Sequence, residues 1–161
     1  MAHHINIILA KEATIRSIES AWVLAHAIKL PQGFAMIPIS IDLVEDMEEL
    51  EDKPKTHEKS PLGSLPPTLH QYLLANSRQS EIAYIETEYF GGTGHQAAIL
   101  YKDQNIALGP LITENNYWEK DSEDQQAINA ILSKMGVWCN QDKDEFEMLG
   151  LGKWRSNEEM G

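Results

Sequence analysis

The stretch from Tyr84 to Gln96 restricts the fold of this chain more than any other. Ala83, Ile85, Thr87 and Tyr89 fall on one side of a two-residue period, and Tyr84, Glu86, Glu88 and Phe90 on the other. That alternation predicts a strand. Gly91-Gly92-Thr93-Gly94 breaks it as a turn, and Ala97 to Tyr101 resumes as a second strand. Asp103-Gln104-Asn105 turns the chain again into a third strand, Ile106–Leu108, ended by Gly109-Pro110. Three strands joined by short turns make an antiparallel meander.

Around the meander the periodicity alternates between two and 3.6. Ile5 to Ala10 is a short apolar run expected to be a buried strand. From Thr14 to Leu30, Ile15, Ile18, Trp22 and Ala25 recur at helical spacing, with Arg16, Glu19, His26 and Lys29 facing away, until Pro31-Gln32-Gly33 stops the helix. Ala35, Ile37, Ile39, Ile41 and Leu43 then alternate as a half-buried strand, which Pro38 confines to an edge or a bulge. Residues from about 45 to 65 carry Glu45, Asp46, Glu48, Glu49, Glu51 and Asp52, then Lys53, Lys55 and Lys59 with Pro54, Pro61 and Gly63, and read as an exposed acidic loop.

Pro66-Pro67 opens a short helix with Leu69, Tyr72 and Leu73 on one face. A further helix is expected from Ser122 as N-cap, with Gln125 completing a capping box and Ile128, Ile131, Leu132 and Met135 as its buried stripe. Gly136 is its stop. A last short helix runs from about Asp144 to Leu149 and ends at Gly150. Helices interleave with hairpin-connected strands, so the expected class is α+β: one domain over 1–161, a mixed, largely antiparallel sheet and three to four packed helices.

Composition narrows the function classes. Thirteen Lys+Arg against 25 Asp+Glu give a net charge of −12, which repels nucleic acid and anionic membranes and favours a basic protein partner. The same acidity also serves plain solubility. Cys139 is the only cysteine, which excludes an intramolecular disulfide and fits a reducing, cytoplasmic compartment. It reads as a packed core residue beside Trp138. The apolar run after His3-His4 is too short for a signal-peptide core and has no basic leader. Neither histidine is expected to bear on function, and no stretch reaches the roughly 18–20 apolar residues of a membrane span.

Glu86 and Glu88 stand two apart on one strand face, about 6.5–7 Å along it, and His95 follows the turn. Such a set could hold a divalent metal or act as an acid–base pair. It could equally be the solvent face of a strand. Gly92-x-Gly94 is no phosphate cradle, because a strand and not a helix follows it. Asn140, Asp142 and Asp144 open like a calcium loop, but Glu145 and Leu151 occupy the positions that need Gly and Glu. No cofactor motif, nucleophile elbow, His-x-x-x-His or Cys-x-x-Cys is present. Trp154-Arg155 is either an interface anchor or a tail closing over the core.

Taken together, the pattern Tyr84-Ile85-Glu86-x-Glu88-Tyr89-Phe90-Gly91-Gly92-x-Gly94-x-Gln96 with Ile128-Asn129-x-x-Leu132 and Asp144-Glu145-Phe146-x-x-Leu149-Gly150-Leu151-Gly152 resembles a family of small, uncharacterised bacterial proteins. The resemblance implies a bacterial cytosolic protein and supplies no catalytic residues. In size and charge the chain is also similar to immunity proteins that neutralise secreted toxins. The leading expectation is therefore an immunity-type inhibitor of a basic toxin such as a nuclease, contacting it through Glu86, Glu88, Phe90, His95, Gln96, Trp154 and Arg155. The alternative is a small hydrolase or metal-binding enzyme using Glu86, Glu88 and His95.

Overall fold

A strand that is apolar on both faces needs a covering layer on each side, and two such strands lie at the centre of this protein. The computed structural model describes residues 2–50, 59–91, 93–115 and 126–161. In chain order the elements are β1 (His3–Lys11), α1 (Glu12–Ala21), β2 (Ile28–Lys29), β3 (Phe34–Pro38), α2 (Ile41–Leu50), α3 (Pro67–Asn76), β4 (Ile82–Phe90), β5 (Thr93–Lys102), β6 (Asn105–Asn115), α4 (Ala127–Lys134) and α5 (Glu145–Met148). The strands form one sheet in the order β2-β3-β1-β4-β5-β6, and every strand pairing is antiparallel. This is a single-domain α+β fold, as expected, with five α-helices among the described residues in place of the three to four expected.

Alternation along β1 and β4 feeds two cores. Ile8, Ala10, Tyr84 and Ile82 pack with Ile15 and Ile18 of α1, Leu43 and Met47 of α2, and Leu69 and Leu73 of α3. Ile7, Leu9, Ala83 and Ile85 pack on the other side with Ile128, Ile131 and Leu132 of α4 and with Leu149 and Leu151. Burying a Leu, Ile or Met side chain contributes about 1.5–3 kcal/mol, so neither layer is dispensable.

Several local expectations are corrected. The first helix ends at Ala21, not Leu30: Trp22 is extended, and the Glu19 Oε2 accepts the Ala27 N–H at 2.5 Å, holding a turn that leads into β2. The third strand stops at Pro38, and Ile41 to Leu50 is helical, not strand and loop. Ser40 Oγ accepts the Leu43 N–H at 3.1 Å, capping that helix, and Leu43 and Met47 bury one turn apart. Of the expected loop, residues 51–58 lie outside the described residues, while Leu62 and Leu65 are buried. β3 is flanked by β1 and β2, but β2 reaches only Ala35 and Met36, so Pro38 lies beyond its partner on that side.

Gly109-Pro110 does not end β6. The strand continues to Asn115 through a register shift opposite Ala98 to Tyr101, where a Gly109 Cβ would stand 2.8 Å from the Ala98 carbonyl oxygen. Ser122 to Gln125 lie outside the described residues, and Gln126 is extended, so α4 starts at Ala127 rather than at Ser122. Its first N–H groups are satisfied from the sheet: Ala127 N–H donates to Thr113 Oγ1 (2.8 Å) and Ile128 N–H to Gln96 Oε1 (2.9 Å). Cys139 and Trp138 are both exposed, not packed in the core.

The C-terminal segment fills the stretch of β1 that β3 does not reach. His4 N–H donates to the Arg155 carbonyl (2.7 Å), and Ser156 makes an isolated parallel bridge with His4. Asn157 accepts the Asn6 N–H (3.0 Å) and donates to the Asn6 and Ile39 carbonyls (both 2.9 Å), standing in for a strand residue.

The hairpin between β4 and β5 depends on a missing side chain. A Cβ on Gly94 would lie 1.9 Å from the Glu88 carbonyl oxygen and 2.7 Å from the Tyr89 Cα, both backbone atoms that cannot swing aside. Gly94→Ala is expected to destabilise the protein by about 1–3 kcal/mol or more, whereas Gly63→Ala, in open space, leaves the urea-unfolding stability within about 0.5 kcal/mol of wild type.

Candidate functional site: an acidic groove beside the central hairpin

Two-residue alternation sorts the seven expected site residues. Glu88 pairs with His95 and Glu86 with Ala97, which puts Glu86, Glu88 and His95 on the face covered by α1, α2 and α3, with Phe90 at the hairpin tip. Gln96 pairs with Thr87 and belongs to the opposite face. Trp154 packs half-buried against the core of that opposite face, while Arg155 is exposed beside His4, with its own N–H held by Glu159 Oε2 at 2.8 Å. The structure brings four of the seven together.

Within those four, environments diverge. Glu86 is buried, and its Oε2 accepts from Tyr84 Oη at 2.8 Å and from the Ser64 hydroxyl. His95 Nε2 stands 3.9 Å from Glu86 Oε1, a contact that becomes an ion pair when the imidazole is protonated. Glu88 and Phe90 are exposed, Phe90 at 80%. Among the described residues no three His, Cys, Asp or Glu side chains converge as a metal site. Glu86 turned to internal donors and Glu88 turned to solvent do not flank a common substrate.

Gln96 is structural: its Oε1 caps α4, and its Nε2 donates to Tyr89 Oη at 3.2 Å. Burial first, and the Glu86 carboxylate next, push the Tyr84 phenol far above its ordinary pKa. Burial alone does the same to Tyr101, whose Oη lies 2.7 Å from His70 Nδ1.

Sequence periodicity missed the groove next to this cluster. Ile41, Val44, Glu45 and Glu48 share one side of α2, at helical spacing, and form one wall of a cavity of about 360 Å³. Asn6 and Ser64 also line it. Asn6 is the cross-strand partner of Glu86, and Ser64 is its hydrogen-bond donor, so the buried carboxylate lies directly beside the groove. Ile41 is 79% exposed at the mouth, Glu45 and Glu48 are exposed, and no Lys or Arg among the described residues lines the cavity. The available signal was Ser40 as a cap followed by Leu43 and Met47 one turn apart.

In comparisons with known proteins, the chain matches no family model, no curated protein and no solved structure.

The Glu86 cluster makes a stability prediction. Tyr84→Phe removes a donor from a buried carboxylate, and is expected to cost about 1.5–3 kcal/mol in urea unfolding. Because Tyr84 and Tyr101 keep their protons in the folded chain at pH values where the unfolded chain loses them, stability is full below about pH 10 and falls as pH rises above it. Tyr84→Phe should flatten that alkaline slope.

Proposed function

We propose that the chain is a protein-binding module that captures a basic protein partner in the groove beside α2. The most concrete form of this reading is an immunity-type inhibitor, acting in the bacterial cytoplasm, that neutralises a basic toxin such as a nuclease. The observation that carries it is the groove itself: Glu45 and Glu48 at its wall, exposed Ile41 at its mouth, and no cationic side chain of the described residues lining it.

Arginine and lysine carry an apolar stem and a cationic head, and the groove offers a surface for each. Ile41 and Val44 suit the stem, and the two carboxylates suit the head. A guanidinium can bond a carboxylate in two places, with more specificity than a point charge. The net charge of −12 adds steering, which raises the rate of encounter with a cationic protein and weakens as salt rises. Enzymes that act on nucleic acid present basic surfaces to phosphate, so an acidic groove suits a protein that covers such a surface.

Paired charge reversal tests the reading. In a titration calorimeter an oligo-arginine peptide should bind the wild-type chain more weakly as salt rises, and Glu45→Lys/Glu48→Lys should weaken binding at least about tenfold, the equivalent of roughly 1.4 kcal/mol. Co-expression with the products of neighbouring genes supplies the biological arm. One of them should arrest growth alone and not beside the wild-type chain, with rescue lost in the double variant. Absence of any rescued arrest, together with peptide binding indifferent to the reversal, contradicts the proposal.

A further inference from the structure

On the opposite face of the sheet, a second cavity of about 280 Å³ opens between the strands, α4 and α5. Its volume is near the lower end of small-molecule pockets, which run from about 300 to 1,000 Å³. Phe146, Tyr89 and His3 give it aromatic walls, and the His3 and Phe146 rings meet edge to face at 5.9 Å. Asn129 and Asp144 supply polar groups.

Two nitrogens there lack a well-formed hydrogen bond. Asn129 is 8% exposed, and its Oδ1 accepts the Phe146 N–H at 2.9 Å, leaving the Nδ2 amide with no hydrogen bond among the described residues. That Nδ2 is open to the cavity, so a ligand that accepts from it exchanges a water for a direct hydrogen bond. His3 Nδ1 lies 2.7 Å from Thr87 Oγ1, which already accepts the Ile5 N–H at 3.2 Å. The Thr87 hydroxyl can accept from or donate to Nδ1, so in either tautomer the ring's open nitrogen is Nε2. That Nε2 is buried, and the nearby Trp154 backbone does not complete a hydrogen bond of good geometry with it.

An acceptor lines the same cavity. Asp144 Oδ1 takes the Glu147 N–H at 2.9 Å, and the carboxylate has further lone pairs for a donor on a ligand. Asp144 and Asn129 both serve the start of α5, Asn129 accepting the Phe146 N–H and Asp144 the Glu147 N–H. No Lys or Arg among the described residues lines the cavity to receive a phosphate.

We propose that this cavity binds a small, uncharged planar heterocycle whose edge carries a hydrogen-bond acceptor beside a donor, the chemistry of a free nucleobase. The acceptor meets Asn129 Nδ2, the donor meets the Asp144 carboxylate, and the ring lies among Phe146, Tyr89 and His3. The site is separate from the acidic groove, and either can fail without the other.

Adenine, hypoxanthine, cytosine and nicotinamide are the probes, with adenosine monophosphate as the charged comparison. Calorimetry and protein-observed NMR should find at least one probe binding with Kd below about 1 mM, shifting the Asn129 side-chain amide signals. The monophosphate should bind at least about tenfold more weakly than adenine. Asn129→Leu should abolish binding, but it also removes the acceptor for Phe146 N–H. Gly152→Leu is therefore the second variant: Gly152 lines the cavity, a Cβ there would stand 3.6 Å from the Phe146 ring in ordinary contact, and its φ is not positive, so a larger side chain enters the cavity with the fold retained, as near-UV circular dichroism would verify. It should weaken binding about tenfold or more. Failure of all four probes to bind, binding that leaves Asn129 unshifted or ignores Gly152→Leu, or equal affinity for the monophosphate, overturns the inference.

Discussion

The antiparallel ladder between β1 and β4 is the constraint on which the rest of the molecule hangs. It joins His3 through Ala10 to Tyr89 through Ile82 over eight residue pairs and makes these the two central strands of the sheet. Both strands are apolar on both faces over much of their length, so each side demands a cover, and the helices divide into two layers to provide it. α1, α2 and α3 cover one face, and α4 with α5 and the C-terminal segment covers the other. The ladder also places Asn6 opposite Glu86, which is what brings a buried carboxylate up to the edge of a groove.

The two layers do different things with polar groups. On the α2 side, Glu86 is held by Tyr84 and Ser64 within the protein, and the exposed carboxylates of Glu45 and Glu48 face outward above it. Negative charge there is concentrated at a concave surface, where it acts on an approaching cation with little competition from local Lys or Arg among the described residues. On the α4 side, Gln96 and Thr113 spend their side chains on capping a helix, and Asn129 holds the start of α5. Charge dominates one face and directional hydrogen bonding the other.

Local pattern was enough where neighbours in sequence decide the structure. The β4–β5 hairpin, the faces of the β4 residues, Asp144 at the start of the last short helix and the stops at Gly136 and Gly150 were legible, because alternation, capping and positive φ are local properties. Ile39, Ile41 and Leu43 misled because their parity matches a strand while Leu43 and Met47 match a helix, and the cap at Ser40 decides between them. The start of α4 was not legible at all: its first donors are satisfied by Gln96 and Thr113, far away in sequence. The candidate hairpin residues were found, but not that Gln96 faces away from Glu86, Glu88 and His95 and is occupied in capping a helix. His3 carried no signal, since its partners Thr87 and Phe146 come from distant elements.

Hydrogen–deuterium exchange of the whole chain, with and without an oligo-arginine peptide, tests most directly whether the groove is where a basic partner docks. Docking in the groove slows exchange in α2 and around Ser64 and leaves the α4–α5 layer unchanged. Protection confined to α4, α5 or the β6 edge, with α2 exchanging as in the free protein, would contradict it.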